Sequence, residues 1–224
     1  MDAIVLDDIS FQADTERLQD RLRVRDAQLD SFTELVAEAE AIARPKALYK
    51  VAYIEARDEA SVVIDGVAFE SRVLQVNLED VHRVFPFVAT CGRELYDWAK
   101  AQDDMLAQFY ADAISESALN AARQALKAEL KEQYRIERSS KMNPGSLEDW
   151  PIREQRPLFE LLGDPEEAIG VYLTDTMLMV PSKSVSGIRF PTEQSFESCQ
   201  LCPREACPSR QAPYDPDLYE EKYA

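Results

Sequence analysis

Apolar residues recur at three and four residue spacings from Asp14 to about Ala43 (Leu18, Leu22 and Val24, then Phe32, Leu35, Val36, Ala39 and Ile42), which predicts a helix that Pro45 ends. The mixed charges of DTERLQDRLRVRD are its solvated face. The period then changes. Lys50 to Arg57 and Ala60 to Ser71 read as strands, and Asp65-Gly66 between Val62-Val63-Ile64 and Val67-Ala68-Phe69 is the signal of a two-residue hairpin. Asn77 is a candidate N-cap for a short helix over LEDVHRVF, with Glu79 and Asp80 in the first turn, where the macrodipole favours acids. Phe85 to Thr90 predicts another strand, which Cys91-Gly92 turns into a helix carrying Leu95 and Trp98. Met105 to about Arg135 is the longest helical pattern. Leu106, Phe109, Tyr110, Ala113 and Ile114 form its stripe, and Glu116 lies at the stripe's edge between Ser115 and Ser117, where spacing favours a solvated residue.

From Arg138 to Trp150 the helical period stops and Ser, Asn, Pro and Gly dominate, so a loop is expected, with Asn143-Pro144-Gly145 as turn chemistry. Leu158 to Leu162 reads as a short helix stopped by Gly163, and Asp164-Pro165-Glu166-Glu167 opens another. Thr176 to Val180 is a short apolar run ended by Pro181. Ser184, Ser186 and Gly187 then supply a small-residue turn before Ile188 and Phe190, a strand, turn, strand unit whose backbone a ligand can approach closely. The tail after Arg210 has no period and is expected to lie extended or disordered. Together these elements give a single α+β domain with a mixed or antiparallel sheet, long helices and an irregular Cys-containing C-terminal tail.

Charge and composition narrow the chemistry. A formal net charge of -17 leaves no clustered cations for nucleic acid phosphates, so no nucleic acid partner is expected. No apolar run is long enough for a membrane span, and the acidic start lacks a secretory n-region, so no membrane partner and a cytoplasmic location are expected. With His82 the one histidine, triads and multi-histidine zinc sites are set aside, and His82 itself reads as an ordinary side chain.

In a reducing compartment the cysteines call for metal or redox chemistry rather than disulfides. Cys199, Cys202 and Cys207 are spaced C-x2-C-x4-C, and Cys91 is the one other cysteine that could complete a set of four ligands. An iron-sulfur cluster, a structural zinc and reduced thiols without metal all stand open.

Two blocks carry a resemblance. KMNPGSLEDWPIREQRPLFELLG and LTDTMLMVPSKSVSGIRF, in order, resemble the activation (reactivation) domain of vitamin B12-dependent methionine synthase, whose segments run R-P-A-P-G-Y, a helix ending W-E-L-L, and L-T-E-S-F-A-M-x-P-x-x-S-V-S-G. The helix around Ala111-Asp112-Ala113-Ile114-Ser115-Glu116 is similar to the one that bears the family's ligand-binding glutamate, and Thr90-Cys91-Gly92 resembles a turn of its shorter, free-standing members. The resemblance implies an N-terminal helical segment over 1–45, an activation-like domain over 46–197 and a Cys-rich acidic tail over 198–224.

It also implies S-adenosylmethionine binding, with cobalamin carried only by a partner, a cobalamin-dependent methionine synthase or other corrinoid protein. The activity implied is methyl transfer to that corrinoid as an electron arrives from a donor such as flavodoxin or ferredoxin. By position Glu116 meets the cofactor's amino group and Lys141, where the family has arginine, its carboxylate. Asn143 and Gly145 offer backbone groups to it, and Ser186 and Gly187 form the facing wall. The chain departs from the family at Lys141, at Ser146, which replaces an aromatic, and at Phe196, which stands near a later tyrosine. A metal-stabilised adaptor without methyl transfer is the alternative.

Overall fold

The computed structural model describes residues 2–193, 196–207 and 210–224. In chain order the elements are β1 (Ile4–Leu6), α1 (Thr15–Leu22), α2 (Leu29–Ile42), β2 (Lys46–Tyr49), β3 (Ala52–Arg57), β4 (Ser61–Ile64), β5 (Val67–Glu70), α3 (Arg72–Asn77), β6 (Arg83–Thr90) and α4 (Arg93–Lys100). They continue with α5 (Met105–Tyr134), β7 (Ser139–Met142), α6 (Gln155–Leu162), α7 (Pro165–Ile169), β8 (Tyr172–Leu173), β9 (Met179–Val180), β10 (Ser184–Pro191) and α8 (Leu218–Lys222). The expected α+β class is observed, and the sheet pairings are antiparallel.

β6 is the axis of the sheet. β2 and β3 pair along one side of it, and β10 pairs along the other and carries β7 at the edge. Because side chains alternate along a strand, β6 feeds two cores. Phe85, Phe87 and Ala89 join Phe32, Tyr49, Ile114 and Leu126 beneath α2 and α5, while Val84 and Val88 join Trp150, Leu158, Ile188 and Phe190 beneath α3 and α6.

Several elements differ from the sequence expectation, each for a local reason. The first helix is two: Arg23 takes a left-handed conformation at φ 52° that closes α1 six residues before α2. Asn77 caps nothing. Ser71 is the N-cap of the preceding helix, accepting the Leu74 N–H at 2.9 Å, and Asn77 ends that helix with its Oδ1 accepting from Lys222 and Tyr223. In α5 the N-cap Asp104 accepts from Leu106 and Ala107, but Leu106 and Phe109 of the expected stripe are exposed and Tyr110, Ala113 and Ile114 are buried. The Asp65-Gly66 hairpin forms as expected, with positive φ at both residues.

The tail is ordered rather than loose. α8 returns it to the second core, where Tyr223 is buried against Phe196 and Asn77 accepts its hydroxyl at 3.1 Å. Burial pushes that phenol up to about 12, with the bond to Asn77 opposing. Truncating this ring by Tyr223→Ala is expected to cost about 3 kcal/mol, and Tyr223→Phe about 1 kcal/mol, in denaturant unfolding.

Candidate functional site

The segment expected to be a loop, 138–150, begins as the edge strand β7, and the SVSG expected to be a turn is the first half of strand β10. The chain reverses earlier, at Pro181 to Lys183, after a cis Val180-Pro181 peptide. Of the apolar run from Thr176 to Val180, only Met179 and Val180 pair, with Leu173 and Tyr172. Small residues at 184–187 serve close packing within a sheet rather than a turn.

Gly187 has the tightest approach. A Cβ there would overlap the Met142 carbonyl and the amide of Asn143. The vacancy lets Asn143 lie across the strand and donate its Nδ2 to the Ser186 carbonyl at 2.5 Å. Ser186 is buried on the other face, its Oγ 3.4 Å from Gln155 of α6. Gly145 closes the turn after Asn143 at φ 82°, donating to the Trp150 carbonyl at 2.7 Å, and a side chain there would strike Ile152. Asn143, Gly145, Ser186 and Gly187 are thus brought together.

Asn143 and Ser186 border a groove of about 520 Å³ that is also lined by Ile152, Gln155, Met179 and Val180 among others. A second groove of about 400 Å³, reaching Cys91, Asp112 and Lys183, adjoins it and shares Tyr96 and Ser182. Lys183 pairs with Asp112 at 2.9 Å.

Lys141 and Glu116 line neither groove. Lys141 is directly across from Arg189 in the β7–β10 register and reaches the C-terminal segment, with Glu197 at 3.4 Å and Gln211 at 2.9 Å. Burial lowers the Lys141 ammonium below its ordinary value, with Glu197 opposing and the guanidinium groups of Arg123 and Arg189 adding to the lowering. Glu116 is part-exposed on α5 and 3.9 Å from Arg21 of α1. Glu116, Asn120 and Arg123 follow one flank of α5 at spacings of four and three, and Arg123 leans back to Asn120 at 3.0 Å. Arg123 adds to the lowering that burial imposes on both Lys141 and Arg189.

Arg189, Arg123, Gln155 and Glu197 were not singled out by sequence reasoning. The signal for Arg189 was the alternation of SVSGIRF, which sets it on the same face as Gly187 once those residues are read as a strand.

The cysteines separate. Cys91 is buried in the first core, its N–H bonded to Lys183 beside the start of β10, whereas Cys199, Cys202 and Cys207 follow the end of that strand. Cys91 therefore does not complete a four-cysteine set. Among the described residues no three His, Cys, Asp or Glu side chains gather as a metal-holding group, and the free thiols of the tail loop lie around Arg210, whose guanidinium donates to the carbonyls of Cys199, Cys202, Arg204 and Ala212. Burial pushes the Cys91 thiol up to about 12. No described helix is long and apolar enough to cross a membrane.

Comparison with known proteins decides the family. The model described as vitamin B12 dependent methionine synthase, activation domain, matches residues 84–199, just over half of the chain. The chain belongs to this family. The activation-domain match runs from the central strand β6 through the edge pair to the first of the tail cysteines. In fold the chain is similar to the solved structure titled "Crystal Structure of the MetH Reactivation Domain bound to AdoHcy", at a TM-score of 0.62 and 16% identity, covering 88% of this chain and 81% of that one. No curated protein matches.

Two outcomes are expected of this activation-family site. Gly187→Ala forces Asn143 off the strand and costs about 2 kcal/mol of stability by denaturant unfolding. Alkylation at pH 8 followed by mass spectrometry labels the tail cysteines in the native protein and Cys91 only after unfolding.

Proposed function

We propose that the chain is an S-adenosylmethionine-binding reactivation factor that docks on a cobalamin-dependent methionine synthase or another corrinoid protein and supports reductive methylation of its cob(II)alamin. One observation carries the reading. One side of the β7–β10 edge carries a cation at Lys141 and, at Gly187, a space that takes the Asn143 amide, while Glu116 stands part-exposed on α5 with its carboxylate held only loosely by Arg21.

That distribution fits a cationic amino acid. An ammonium is best met by a carboxylate and a carboxylate by a cation, each through charge-assisted hydrogen bonds. The fit has a structural basis in the strand itself, since the space at Gly187 is filled by an amide, not by a side chain of its own. Glu116 is free to turn toward a ligand because its contact with Arg21 is long and solvent-exposed, worth little by itself.

When bound, S-adenosylmethionine supplies an electrophilic methyl group. The residues of the chain bind and orient. Glu116 takes the ammonium, Lys141 the carboxylate, and the backbone at Asn143 and Gly145 meets the adenine and amino acid portions, with Ser186 and Gly187 as the facing wall. The groove with its apolar lining at Ile152, Met179 and Val180 adjoins this site at Asn143 and Ser186. A separate donor such as flavodoxin or ferredoxin supplies the electron, and the partner supplies the cobalt.

The adaptor reading is favoured by one fact, that Glu197 and Gln211 of the chain itself already engage Lys141. Isothermal calorimetry separates the two. Wild type is expected to bind S-adenosylmethionine, and Glu116→Gln to weaken it about tenfold, in line with loss of a charge-assisted bond. Absence of binding by wild type would sink the methyl-donor reading, and binding without turnover of a partner's cob(II)alamin would leave the adaptor.

A further inference from the structure

Arg189 is a guanidinium in an unusual setting. It is 8% exposed, and among the described residues its Nε finds no hydrogen-bond partner and its Nη1 reaches the Ser139 hydroxyl at 3.3 Å. Its planar group lies over the Phe87 ring at 5.7 Å, a contact that orients a cation without neutralising it. Its cross-strand neighbour is another cation, Lys141, and a third, Arg123, acts on both from α5. Against these three stands Glu197, which is held by Lys141 at 3.4 Å and belongs to the C-terminal segment. Burying a guanidinium with an unsatisfied donor is costly, and a fold gains nothing from it. Packing alone would have placed an apolar side chain over Phe87.

We infer that Arg189, with Lys141, is the binding site for the carboxylate of an amino acid ligand, and that Glu197 holds this site in the free protein until the ligand's carboxylate takes its place. The inference rests on the S-adenosylmethionine reading above and names what recognises one end of that ligand. A lysine at position 141 offers a point charge where a guanidinium would offer a fork. Arg189 returns the fork from the adjacent strand: its free Nε is one prong, and the carboxylate accepts from it as well as from the Lys141 ammonium. Displacement of Glu197 needs no new charge in the site, because one carboxylate is exchanged for another. It does release the start of the tail, since residues 196–201 are tied to the edge strand through Glu197 and through the Phe196 N–H on Ser140.

The test is calorimetry with S-adenosylmethionine and with its decarboxylated analogue on wild type, Arg189→Met, Arg189→Lys and Glu197→Gln. Arg189→Met is expected to weaken S-adenosylmethionine at least tenfold and to leave the decarboxylated analogue unchanged. Arg189→Lys recovers part of the loss. Glu197→Gln tightens S-adenosylmethionine several-fold, because its competitor is gone. Thermal unfolding of Arg189→Met without ligand is expected at or above the wild-type midpoint, which also certifies that the variant folds. Equal affinity of wild type and Arg189→Met for S-adenosylmethionine, or equal loss with both ligands, overturns the carboxylate assignment while leaving the cofactor reading intact. No binding of either ligand by wild type overturns both together.

Discussion

Everything in this chain depends on one strand being buried on both faces. β6 carries Phe85, Phe87 and Ala89 to one core and Val84 and Val88 to the other, so neither half of the molecule can form without it. An antiparallel sheet with one solvated face would alternate apolar and polar residues. RVFPFVAT does not alternate, and that is the requirement for helices on both sides. The same burial leaves β10 and β7 as the flank of β6 opposite β2 and β3: β10 is shielded by β6 on one edge, paired with β7 on the other and covered by α6 on one face.

The parts of the fold that local chemistry determines were legible in the sequence. The hairpin at Asp65-Gly66, the long helix to Tyr134 and the Asp164-Pro165 helix start all rest on residues that act on their own backbone. What was not legible depended on partners distant in sequence. SVSG was read as a turn because Ser and Gly favour turns, yet Gly187 is glycine because Asn143 and the Met142 carbonyl, more than forty residues earlier, need its space. The strand character of Ser139 to Met142 likewise comes from pairing with β10 and not from its own composition. The acidic tail looked unable to fold for want of apolar residues, and a single aromatic, Tyr223, inserted into the second core was enough to hold its end.

Of the residues that the sequence singled out for the site, the structure gathers some and separates others. Asn143, Gly145, Ser186 and Gly187 converge. Lys141 lies on the same edge but reaches the tail, and Glu116 stands on α5 beside Arg21 of α1. Cys91 was grouped with three cysteines from which the whole length of β10 separates it, an error that spacing could not have revealed because thiols far apart in sequence carry no register. Arg189 was passed over as an ordinary charge in a strand. Charge becomes informative only with burial, and a guanidinium that is buried without a carboxylate of its own is informative in a way that the Arg93–Asp97 pair on an exposed helix is not.

A consequence follows for how the tail relates to the site. Glu197 sits six residues beyond the end of β10 at Pro191, and two before the first cysteine of the loop that Arg210 ties together through backbone carbonyls. The loop therefore hangs on Lys141 through the Glu197 carboxylate and the Gln211 amide, and on the second core through Phe196 and Tyr223. Since the core contacts are apolar and the site contact is ionic, the two anchors respond to different changes. Salt and a competing carboxylate act on the first, which is part-exposed and screened, and leave the second untouched. The proposed carboxylate site thus coincides with the ionic anchor and not with the apolar one.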